Sequence, residues 1–91
     1  MPVPVLPGED LVTVGLRDLG SGAETEAALL VSIGAPRLIR LGLDVRDPVP
    51  DAEHRLYARL AAVDRASAHS RYNALVRRLV SYERAAECAR R

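Results

Sequence analysis

A chain of 91 residues and 9.9 kDa has room for one hydrophobic core and no second domain. With 48% hydrophobic and 27% charged residues it can build that core, and its longest uncharged stretch, Ala27 to Pro36, is far shorter than the roughly 20 residues a membrane-spanning helix needs. The net charge is only +1, and all 13 basic residues are Arg, with Lys, Gln, Phe and Trp absent and Ala abundant, as high-GC bacterial coding produces; Arg content alone is therefore no nucleic-acid signal, and three Tyr are too few for a base-stacking platform.

Residues 1–7 carry Pro2, Pro4 and Pro7, which fix φ and withhold N–H donors, so an extended Pro-rich arm is expected there, followed by a single helical domain over 8–91. The arm has no Lys or Arg and is unlike a secretory signal. From Gly8 to Leu19, Leu11, Val12, Gly15 and Leu19 share a helical stripe, although Val12, Val14 and Leu16 also alternate as in a strand. Helix is preferred, with Glu9 and Asp10 in its first turn and Gly20 as its stop.

Ser21 and Glu24 have capping-box spacing, and the apolar run Ala27 to Ile33 after them predicts the most buried helix, ended by Gly34. Pro36 then opens a short helix through Leu38, Ile39 and Leu41, which Gly42 terminates. Asp44 to Pro50 is a connector leading to an Asp51 cap.

In the last 41 residues the apolar phase shifts. Ala52, Leu56, Leu60 and Val63 form one stripe and Tyr72, Leu75, Val76, Leu79, Tyr82 and Ala86 another, displaced by more than about 90° if one helix carried both. The chain is thus expected to reverse between Asp64 and His69, where Asp64, Ser67 and Ser70 offer caps. The fold expected is all-α: a small single-domain bundle of four to five helices ending in an antiparallel helix hairpin.

Chemistry-bearing residues are sparse. Two His residues without a paired ligand spacing predict no metal site, and Asp44, Asp47, Asp51 and Glu53 lack the glycine and ligand periodicity of a calcium loop. Asp64, Ser67, His69 and Ser70 hold the residue types of a hydrolase triad, but so close on one helix they point to different sides. No catalysis and no cofactor are expected. Cys88 stands alone, which excludes an internal disulfide and fits a reducing cytoplasm.

Charge is divided along the chain: Met1 to Glu53 holds nine acids against four Arg, and His54 to Arg91 nine Arg against three acids. This asymmetry predicts either self-complementary packing, within the chain or between copies, or a basic surface for an acidic partner, and the first is preferred. On the last helix, Arg77, Arg84 and Arg91 recur every seven residues on one side and Arg71 and Arg78 on the other, flanking an apolar seam. Arg71, Tyr72, Leu75, Arg77, Arg78, Leu79, Tyr82 and Arg84 are accordingly the residues expected to meet a partner. The function expected is a non-catalytic helical interaction module, acting as a homo-oligomer or as an accessory, antitoxin-like subunit of a larger protein. The alternative is nucleic-acid binding, through the Arg-rich last helix or through a short helix-turn-helix at Leu29 to Leu41 that presents Arg37 and Arg40.

Overall fold

The computed structural model describes residues 6–89; the first five residues of the expected arm, and Arg90 and Arg91, lie outside them. Among the described residues there are five helices and no strand. Helix α1, Glu9–Gly20, starts with two acids and has Arg17 in its last turn, charges placed as the helix dipole favours. It buries Val12, Gly15 and Leu19, the stripe expected. Leu6, from the end of the arm, packs against the core.

One local expectation is corrected between α1 and the next helix. Helix α1 ends at Gly20 as expected, and the left-handed residue that follows is Gly22 at φ 81°, with Ala23 N–H donating to the Asp18 carbonyl at 2.9 Å. Ser21 does not cap the second helix, because its hydroxyl turns back to the Asp18 carbonyl at 2.9 Å. Thr25 is the cap instead: its Oγ1 accepts from Ala28 N–H at 3.1 Å and donates to Asp18 Oδ2 at 2.8 Å, which ties the corner together.

Helix α2, Glu26–Ile33, buries Ala27, Ala28, Leu29, Leu30, Val31 and Ser32, and it touches every other helix of the described chain. A helix apolar on nearly all sides is the centre of a bundle rather than one of its walls. Ser32 is polar yet buried because both its hydrogen-bonding roles are used: Oγ donates to the Ala28 carbonyl at 2.8 Å and accepts from Val49 N–H at 3.0 Å. That second bond fastens the Pro-rich connector to the core, and Val45 of the connector is itself buried.

Gly34 closes α2, and α3, Ala35–Arg40, comes next with Pro36 in its second position. Helix α4, Ala52–Val63, presents Ala52, Leu56 and Leu60 to α2. Asp51 precedes it but does not cap it through its side chain; the residue is left-handed, at φ 57° and ψ 37°, and α4 begins with Arg55 N–H donating to the Asp51 carbonyl. Val63 also departs from the expected stripe, at 71% exposed, because the chain turns extended at Asp64 before Val63 reaches a neighbour.

The reversal falls where the phase shift puts it. Asp64 Oδ1 accepts from Ala66 N–H at 3.1 Å and its Oδ2 from Ser67 Oγ at 2.9 Å, and α5, Ala68–Ala89, then runs back along α4 so that the rings of Tyr57 and Tyr72 meet at 5.8 Å. Leu56 and Leu60 are completely buried by the chain's own helices, so their stripe does not wait for a partner. No helix of the described residues is long and apolar enough to cross a membrane.

Candidate functional site: the groove between α3 and α5

Ionic contacts fold the basic second half of the chain onto its acidic first half. Arg78 meets Asp10 at 3.1 Å, Arg71 meets Glu26 at 3.7 Å and Arg55 meets Glu24 at 2.8 Å. Each is solvent-accessible and worth little alone; the Arg71 and Arg78 pairs link α5 to α2 and α1, and the Arg55 pair links α4 to the corner before α2. The self-complementarity read from the sequence is thus met in part within one chain.

These contacts sort the eight residues expected at an interface. Leu79 and Tyr82 are 3% and 7% exposed and belong to the protein's own core. Burial raises the pKa of the Tyr82 hydroxyl, with the Glu9 carboxylate adding to the effect. Tyr72 and Leu75 are half-buried against the same core; the Tyr72 hydroxyl is raised by burial and then by Glu53. Arg71 and Arg78 are held by the acids of α2 and α1. Only Arg77 and Arg84 point outward without an ion pair or hydrogen bond among the described residues. A seam bounded by two basic rows was legible, but one row and the floor of the seam are used internally.

Sequence reasoning missed a second feature. Helix α5 faces the α2–α3 corner across an open groove of about 260 Å³, walled by Ile33 and Pro36 on one side and by Val76, Leu79 and Val80 on the other. Arg37 spans it, with Nη2 on Glu87 Oε2 at 2.8 Å and Nη1 3.9 Å from Glu83 Oε1. Glu83 was unremarkable in the sequence; in the fold its side chain is only 6% exposed, pressed against Gly34, where a Cβ would come within 3.1 Å of Oε2. A Glu spaced four and seven residues from Leu79 and Val76 on a helix was the available signal, since that spacing places it on their face.

Burial raises the Glu83 pKa above its ordinary value, and the neighbouring Arg37 guanidinium pulls it back only in part. A carboxyl whose folded pKa lies above its unfolded value contributes stability below the unfolded value of about 4.5, and that contribution is lost as pH rises through the folded value. Glu83→Gln should therefore gain on the parent protein as pH rises from about 4 to 7 in paired urea titrations. A gap between the two that stays constant over that range would contradict it.

The remaining candidates are engaged locally. Ser67 Oγ donates to Asp64, His69 Nε2 lies 3.2 Å from Asn73 Nδ2, and Arg46 meets Asp44 at 3.0 Å. His54 is exposed on α4. No three described His, Cys, Asp or Glu residues gather as metal ligands. In the Leu29 to Leu41 corner, α3 has six residues, buries Leu38 and commits Arg37 to α5, which leaves little of it to enter a groove of DNA. Comparison with protein-family models, with curated proteins and with solved structures finds no match to this chain.

Proposed function

We propose that the chain is a non-catalytic helical interaction module, working as a homo-oligomer or as an accessory, regulatory subunit of a larger protein. One observation carries this reading. The apolar groove between α3 and α5 is left unfilled by the chain's own side chains, although Ile33, Val76 and Val80 line it, and Arg37 at its edge pairs with Glu83 and Glu87. Apolar concavities with a few placed charges are typical of surfaces that receive a partner. The intramolecular pairing of Arg71 and Arg78 weakens the case for a partner that must neutralise the whole basic half. Against the nucleic-acid alternative stand Glu83, which lines the groove, and Glu87, which pairs with Arg37 of the groove; ionised carboxylates there repel phosphate.

The test is a mass measurement on the tagged protein isolated from the cells that make it. Native mass spectrometry and light scattering should find it as a species above its 9.9 kDa monomer, through a second copy or a bound protein. A 9.9 kDa monomer with a concentration-independent melt and no stoichiometric partner would overturn the proposal.

A further inference from the structure

We infer that the α3–α5 groove receives one amphipathic helix of a partner protein, a helix that carries carboxylates seven residues apart along the edge that meets Arg77 and Arg84. The inference rests on the interaction-module reading and adds the chemistry of the partner. Val80 lines the groove on α5, and Arg77 and Arg84 are its neighbours three residues before and four after, a spacing that puts both beside it on one flank of the helix. They are exposed and unpaired among the described residues, in contrast to Arg71 and Arg78 on the other side of the helix.

The other lip differs. There Arg37 is already paired with Glu83 and Glu87, one cation against two carboxyl groups, so it offers a docking helix no spare positive charge. A partner helix that satisfies both lips is therefore acidic on one edge and neutral or weakly basic on the other. Its acids repeat at about 10.5 Å, the rise of seven helical residues, which matches the spacing of Arg77 and Arg84. Its apolar stripe covers Ile33, Val76 and Val80.

Two other occupants fit less well. A second copy docking the same face antiparallel across a two-fold axis at Val80 lays Arg77 of one copy against Arg84 of the other, a like-charge contact. A nucleic-acid strand gains nothing from an apolar floor and meets the Glu83 carboxyl group in the groove lining.

The probe is a labelled synthetic helical peptide of about four turns with Leu on one stripe and Glu at seven-residue spacing on one edge, a length that covers the α5 wall from Val76 to Glu87. It is compared with the same peptide carrying Gln for Glu, with a Lys version, and with a duplex oligonucleotide of equal length. Fluorescence anisotropy should show the Glu peptide bound by the whole protein, and the Gln peptide or the Arg77→Glu/Arg84→Glu protein weaker by about tenfold, the sum of two exposed ion pairs. Val80→Asp should weaken the Glu peptide at least as much. Circular dichroism melts of these surface variants confirm that they remain folded.

Absence of Glu-peptide binding, or binding that the double substitution leaves unchanged, overturns the inference. Tighter binding of the duplex, lost in the double variant, overturns it in favour of nucleic acid and takes the module reading with it. A peptide-independent dimer abolished by Val80→Asp overturns the acidic partner while leaving the module reading standing.

Discussion

Leu30→Ala is expected to remove about 3 to 4 kcal/mol of folding stability, a large share of the roughly 5 to 14 kcal/mol available to a chain of this size. Leu30 has no exposed surface and lies in the middle of α2, which meets all four other helices of the described chain. Truncation there removes transferred apolar surface, and the surrounding helices are joined by too many separate contacts to collapse into the gap. Chemical denaturation should show the midpoint falling while the slope stays constant, and thermal melting a drop of about 15 to 25 °C. Ile39→Ala is the control: Ile39 is 52% exposed on α3, and its loss should cost under about 1 kcal/mol. Equal effects at the two positions would refute the assignment of α2 as the centre of the core.

The second large effect is a substitution that changes sign with position. A methyl group at Gly15 would run into the Ala27 carbonyl oxygen and would lie 2.7 Å from Val31 Cγ1, so α1 and α2 touch there backbone to backbone. Only whole helices can move to relieve the clash, since a carbonyl in a helix has no side-chain freedom with which to yield. Gly15→Ala is expected to cost about 2 to 3 kcal/mol net, the strain exceeding the gain of about 1 kcal/mol in helix propensity. At Gly20, five residues later in the same helix, nothing lies within 4 Å of the added methyl. Gly20→Ala should stabilise by up to about 1 kcal/mol. Paired urea titrations decide the matter, and two substitutions of the same sign would contradict the close approach.

Gly15 shows what was legible and what was not. Its place on the stripe with Val12 and Leu19 could be read from spacing alone, as could the break after Val63, because both arise from helical phase. Phase says that a face is covered without saying by what. Leu79 and Tyr82 therefore read as equally suited to a partner and to the core, and only tertiary packing assigns them to the core. Caps failed for a related reason. Ser21, Thr25 and Asp51 all have cap-forming side chains, and the choice of Thr25 depends on its hydroxyl reaching Asp18, a residue of the preceding helix. Spacing could place Glu83 on the face of Leu79 and Val76, but its burial could not be read, because Gly34 and Arg37, which pack against it, are distant in sequence.

The Arg78–Asp10 pair joins residues 68 apart, whereas the Asp64–Ser67 turn closes within four. By loop-closure entropy the long join costs about 2.5 kcal/mol more than the short one, at about 0.6 kcal/mol per doubling of the loop. Helices adjacent in the chain, α1 with α2 and α4 with α5, can therefore associate early, and the seam between α1 and α5 is sealed last. On a ribosome this order is enforced: α1 can cover one face of α2 early, but the faces that meet α4 and α5 stay uncovered until those helices emerge, an interval in which the nascent chain is exposed to chaperones and to misassembly with its neighbours.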